Sequence, residues 1–198
     1  MDFKKHLETA WNLMLNHLAA LIIITLVMTV ISLCSLFILA PVMMAGYVHS
    51  MLRLLREDRV PKVQDLFSHM YLFLPLLAFS VVALIASMIG FKLLYLPGIA
   101  VMCGVTFACL FMLPLMTDEK LALIDAIKRS WDLAMQKNVS DYLVVVVLYI
   151  GLMAIGSSVF IGTLFTQPFA TLFVLSVYLE RTAHVRQQPP VPPPTPRA

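Results

Sequence analysis

Hydrophobic positions in this chain fall into three long runs divided by short polar intervals. Leu18 to Leu52 contains no Asp, Glu, Lys or Arg in 35 residues, Tyr71 to Met116 contains one charge in 46, and Tyr142 to Leu179 contains none in 38. A helix needs about 20 residues to cross about 30 Å of hydrocarbon, so each run has the length for two crossings. Breaks fall where crossings would turn back: Ala40-Pro41 in the first run, Lys92 and Leu96-Pro97-Gly98-Ile99 in the second, Gly162-Thr163 and Gln167-Pro168 in the third. The pattern predicts an all-α polytopic membrane bundle over residues 1–183, about six transmembrane helices arranged as three hairpins. Pro41, Pro97 and Pro168 are expected at the starts of the returning helices, where a fixed φ suits the first turn and the missing N–H had no partner; Gly98 extends the entry at Pro97. The first pair is the shortest. Its alternative is a re-entrant hairpin, which needs protein cover or a wet cavity.

The polar intervals have helix periods of their own. Phe3, Leu7, Ala10, Trp11 and Met14 recur at steps of three and four opposite Lys4, Lys5, Glu8 and Asn12, predicting a helix over about 2–16. Residues 118–137 set Leu123, Ile124, Ile127, Trp131, Ala134 and Met135 on one arc and Asp125, Lys128, Arg129, Asp132 and Gln136 on the other. Thr117 is the expected cap, and Asp125 with Arg129 and Lys128 with Asp132 are expected (i, i+4) pairs. A shorter helix is expected over 63–70 after Pro61. Such segments suit the interface plane of a bilayer, with the tryptophan rings at headgroup level. Both tryptophans occur in similar settings, Ala10-Trp11-Asn12-Leu13-Met14 and Ser130-Trp131-Asp132-Leu133-Ala134, which suggests an internal repeat of interfacial helix plus hairpin.

Composition and charge strengthen the membrane reading. Hydrophobic residues are 61% and charged residues 13%, with mean hydropathy +0.91, against about 45–50% apolar and about 25% charged in soluble domains. Of 14 Lys and Arg, all but Lys92 lie in the intervals at one face of the predicted bundle, so both termini are expected in the cytoplasm. The first apolar run exceeds a signal peptide's core, so the N-terminal segment is expected to be retained. Residues 184–198 are proline-rich and predict an extended or disordered cytoplasmic tail. A net charge of +3, scattered in short clusters, carries no nucleic-acid footprint.

Candidate chemistry is sparse. Cys34, Cys103 and Cys109 lie in apolar runs without metal spacing, and no phosphate loop or H-E-x-x-H occurs; neither a metal nor a cofactor is expected. Within the predicted crossings His49 is the one deep ionisable side chain. It is either a neutral, hydrogen-bonded histidine or a substrate-contacting group. The hydroxyls have no neighbouring base and suit bonds to their own helices. An enzyme is not expected. Ala86/Gly90, Ala100/Gly104/Ala108 and Ala154/Ser158/Gly162 have the spacing of close helix contacts, within one bundle or between copies.

Tyr95-Leu96-Pro97-Gly98-Ile99, Leu113-Pro114-Leu115-Met116-Thr117-Asp118-Glu119 and Ala126-Ile127-Lys128-Arg129-Ser130-Trp131-Asp132-Leu133 together resemble the uncharacterised YciC-type bacterial inner-membrane proteins. They also resemble the membrane domain that accompanies some glycerophosphodiester phosphodiesterases. The resemblance is clearest over 93–142, with Ala45-Gly46 and Leu66-Phe67 also suiting it. It implies a bacterial inner-membrane location and about six helices, and imports no catalysis, because those relatives' phosphodiesterase residues belong to a separate soluble domain. The expected function is an accessory, scaffold or lipid-environment role; the alternative is a carrier or channel for a lipid or small apolar solute. Expected partners are membrane lipids and, through residues 118–137 with their wet face of Asp125, Lys128, Arg129 and Asp132, another membrane or cytoplasmic protein.

Overall fold

The N-terminal apolar stripe folds as α1, Phe3–Asn16, which buries His6, Ala10 and Met14. In the computed structural model, which describes residues 3–93, 103–107, 109–135, 139–157 and 160–187, every regular element is helical. α1 meets α2, Leu18–Cys34, at 88°. A tight turn at residues 35–39 then reverses the chain, with Leu36 and Phe37 both at left-handed φ values of 51° and 64°. α3, Ala40–Glu57, follows with Pro41 in its first turn and stops at Asp58, whose own left-handed φ of 51° lets its N–H bond Leu54 O.

Beyond Pro61 the expected helix over 63–70 is replaced by two 3-10 turns, Val63–Phe67 and Met70–Leu72. Local side-chain bonds explain the difference. The Asp65 carboxylate accepts from Lys62 N–H at 3.1 Å and Ser68 Oγ donates to Asp65 O at 2.6 Å, tightening the turn beyond an α-helix. α4, Phe73–Leu93, leaves this loop, and residues 103–107 resume as helix before α5, Met112–Asp118.

Thr117 is not a cap: it lies inside α5 and its Oγ1 donates back to Leu113 O at 3.0 Å. The chain turns at Lys120, with φ 53°, and the amphipathic helix α6 begins only at Leu123 and runs to Met135. α7, Val139–Ser157, and α8, Phe160–Gln187, complete the bundle. Pro168 lies inside α8, not at a helix start, because α8 begins eight residues earlier at Phe160. An interior proline leaves one carbonyl without its usual N–H partner, a cost that neighbouring helices can absorb. Pro97, Gly98 and the proline-rich tail from 188 onward lie outside the described residues.

Among the described residues, two helical segments are long and apolar enough to cross a membrane, Val63–Gly90 and Gly162–Ala183; counting the bent pairs α1 with α2 and α6 with α7 as one span each raises this to four. These two segments differ in place. Few residues of the first segment are buried against the rest of the chain and more than half of the most apolar stretch of the second are, so α4 is peripheral and α8 central. α8 packs on α7, α1, α3 and α2. The core around it is aromatic: Phe111 meets Tyr142 and Tyr178 at ring separations of 5.3 and 5.6 Å, and Tyr47 lies fully buried beside Thr25, hydroxyl to hydroxyl at 3.1 Å. Of the small-residue stripes, Gly162 closely approaches Gly156 O, whereas Gly104 has no close neighbour among the described residues and Ala100, Ala108 and Ser158 are outside them.

Candidate functional site

The densest polar cluster lies where α3 ends, the 3-10 loop folds back and α5 stops. The approach depends on Gly46, where a Cβ would overlap Leu66 O and come within 2.6 Å of Asp65 O. With no side chain in the way, the loop backbone rests on α3. Asp65 then accepts from Ser50 Oγ at 3.2 Å and pairs with Arg59 at 3.3 Å.

A second carboxylate ties three helices. Arg56 of α3 grips Asp118 of α5 with both guanidinium nitrogens, at 2.5 and 2.8 Å, and the Tyr178 hydroxyl of α8 donates to the same carboxylate at 3.3 Å. This bidentate geometry is the strong form of an ion pair. The bond to Asp118 holds the Arg56 guanidinium above its ordinary pKa range, against the opposing effect of burial.

His49 lies beside this cluster, and the structure brings to it a partner that sequence spacing does not reveal. Its ring lies 4.6 Å from that of His69, on the far side of the loop. His69 is buried, its Nδ1 is 2.7 Å from Ser68 Oγ, and its ring also hydrogen-bonds the Thr117 backbone. Burial pulls the His69 pKa below its ordinary value, the Arg53 and Lys120 charges add to the fall, and the Thr117 bond opposes it. His49 Nδ1 is buried with no hydrogen-bond partner among the described residues.

Elsewhere in the bundle, an apolar cavity of about 150 Å³ opens between α3, the 105–114 segment, α7 and α8, lined among others by Met44, Val48, Cys109, Tyr149 and Val174, and His49 is not part of its lining. Cys34 and Cys103 are exposed and Cys109 half-buried, and all three are free thiols. Among the described residues no group of three His, Cys, Asp or Glu is placed to hold a metal ion.

The other expected site residues lie apart from this cluster. Asp125, Lys128 and Asp132 are exposed on α6 and Arg129 is half-exposed. Among the described residues, no ion pair joins Asp125 to Arg129 or Lys128 to Asp132, so the expected pairs do not close. The face α6 buries also differs from the expected arc, being Ala126, Ser130, Leu133 and Ala134, with Ile124, Trp131 and Met135 left outside. α1 behaves the same way: it buries positions 6, 10 and 14, each 120 before buried positions 126, 130 and 134 of α6, and leaves Trp11 and Leu15 exposed. Each tryptophan edge meets one phenylalanine, Trp11 with Phe169 and Trp131 with Phe107, both at 5.9 Å.

No family model matches the chain, and no curated protein or solved structure matches it.

Proposed function

We propose that this chain is a non-enzymatic protein of the bacterial inner membrane, crossing it about six times with both termini in the cytoplasm, and that it serves as an accessory or scaffold in the lipid environment. The observation that carries the reading is the uncovered apolar side of α1 and α6. Trp11 and Leu15 on one, Ile124, Trp131 and Met135 on the other, stay exposed on helices that meet the next apolar helix at 88° and 115°. That is the geometry of a helix lying in a headgroup layer while its successor descends into the hydrocarbon. The shared burial pattern of the two helices supports an internal repeat, and the YciC-type resemblance fits the same architecture. A scaffold role is supported by how the carboxylates are used: Asp65 and Asp118 tie helices to one another. A soluble partner would meet Asp125, Lys128, Arg129 and Asp132.

Reporter fusions after Leu36, Lys92 and Ser157 should give an external signal, and fusions after Arg56 and Lys120 an internal one. An internal signal at Leu36 would replace the first crossing pair by a re-entrant hairpin. The apolar cavity lined by Met44, Val48, Tyr149 and Val174 favours a second reading, a carrier for a lipid or apolar solute. Replacing Val174 by Trp should fill the cavity and abolish such transport; a transport rate unchanged by that substitution would remove the second reading.

A further inference from the structure

The basic residues around the loop between α3 and α4 are of two kinds. Arg56 and Arg59 are engaged by Asp118 and Asp65. Arg53 and Lys120 have no hydrogen bond or ion pair among the described residues. Arg53 is half-buried one helical turn beyond His49, on the same face of α3. Lys120 is exposed, and its left-handed backbone turns the chain between α5 and α6. Both charges act on His69, and Arg53 also acts on His49. The neighbouring acids are Asp65 and Asp118, each already held by an arginine, together with Glu57 and Glu119 at the helix ends.

The same loop exposes Phe67, Met70 and Tyr71 immediately before α4 begins. Exposed aromatic and apolar side chains at the entry of an apolar helix mark headgroup depth. We infer that Arg53, Lys120 and the His49–His69 pair form a site for the phosphate of an anionic phospholipid headgroup. The two cations supply the charge, His49 supplies a ring nitrogen with the His69 ring beside it at 4.6 Å, and Phe67, Met70 and Tyr71 lie along the upper acyl chain. Two positive charges without a carboxylate of their own select a headgroup with net negative charge over a zwitterionic one. The buried Nδ1 of His49 is a polar atom that no group among the described residues serves.

The site rests on the membrane reading above, and the two fail separately. Full-length protein in zwitterionic micelles is titrated with dioleoylphosphatidylglycerol, with dioleoylphosphatidylcholine and with inorganic phosphate, and occupancy is followed by native mass spectrometry. The expected result is one tightly held phosphatidylglycerol, weakened about tenfold or more by Arg53→Gln and by Lys120→Glu and unchanged by Lys4→Gln. Lys120 is exposed and outside every helix, so its variant reports on the site without unfolding the bundle. Equal uptake of phosphatidylcholine, displacement by equimolar inorganic phosphate, or full affinity in Lys120→Glu overturns the site. Carbonate extraction of the same proteins tests membrane integration independently: protein that stays in the membrane yet fails the lipid titration removes the headgroup site alone.

Discussion

Gly46→Ala tests the packing that builds the polar cluster. An added Cβ would lie 2.6 Å from Asp65 O and closer still to Leu66 O, whereas ordinary carbon–oxygen contacts are about 3.3 Å. Both obstacles are backbone, so no side chain can swing aside, and the loop must retreat by about 0.7 Å or more to reach that contact distance. The Ser50–Asp65 bond, 3.2 Å at present, then opens beyond hydrogen-bond range. Overpacking costs about 1–3 kcal/mol and the lost bond about 1 kcal/mol, while alanine's better helix propensity returns about 0.5–1 kcal/mol. The net expectation is a loss of about 1–3 kcal/mol.

Reversible unfolding in mixed detergent micelles at rising SDS fraction measures that loss. Hydrogen exchange at the Asp65 amide, bonded to Lys62 O at 2.9 Å, reports whether the loop has lifted. Gly104→Ala is the internal control. A Cβ there meets nothing within 4 Å among the described residues, so the same substitution should be neutral or stabilise by up to about 1 kcal/mol. Gly46→Ala protein as stable as the parent, with unchanged exchange at Asp65, would refute the reasoning.

Three further outcomes are expected. Since the folded pKa of His69 lies below its ordinary 6.5, the neutral ring is favoured in the fold; its contribution is present above the unfolded value and lost as pH falls through the folded one. Thermal melting from pH 8 to pH 5 should therefore show a decline that His69→Gln flattens, and an undiminished slope in the variant would assign the decline to other groups. Asp118→Asn should cost about 1–2 kcal/mol by the same SDS titration, with added salt narrowing the difference because Arg56 is partly solvated; a loss that does not respond to salt would deny the ion pair its role. Phe37→Gly should stabilise by about 1 kcal/mol, because the side chain is exposed and its φ is left-handed, and a lower SDS midpoint would show that the phenyl ring is held by something other than the turn.

Periodicity made the helices legible, and pairing across the chain remained out of its reach. The 3.6-residue pattern places an amphipathic helix after Asp118, yet it cannot see that Arg56, 62 residues earlier, already holds Asp118 at the end of α5. That contact displaces the helix start to Leu123 and removes Thr117 from its capping role. The same limit applies to the candidate site. His49 stands out because it is ionisable within an apolar run, whereas His69 reads as one polar residue in a polar loop, and only the backbone approach at Gly46 brings the rings together. Ala45-Gly46 followed by Leu66 was the available signal, since a glycine interrupting a helical pattern often marks a close approach. Pro168 lies inside α8 and not at the helix start that its residue type predicts, for a complementary reason: proline restricts α-helices most strongly in water, and neighbouring packed helices can re-satisfy the freed backbone groups.

The two amphipathic helices converge on one short stretch of α8. His6 of α1 lies 2.9 Å from Ser176 Oγ and 2.5 Å from Glu180, and Arg181 donates to Leu133 O of α6 at 2.7 Å while its guanidinium covers the Tyr142 ring at 5.2 Å. Ser176, Glu180 and Arg181 occupy little more than one helical turn, so the orientations of α1 and α6 are referenced to the same segment. Apolar stripes alone allow a surface helix to roll, because burial is non-directional. A buried polar bond does not, since a rotation that breaks it strands a donor or an acceptor. Each helix therefore combines an apolar stripe that sets how deeply it docks with polar bonding to α8 that sets its roll, two bonds from His6 for α1 and one to Leu133 O for α6, and that roll leaves Trp11 and Trp131 outward. The exposure of the tryptophans is thus a consequence of how α8 holds the two helices, and the feature that carries the interfacial reading traces back to three residues of α8.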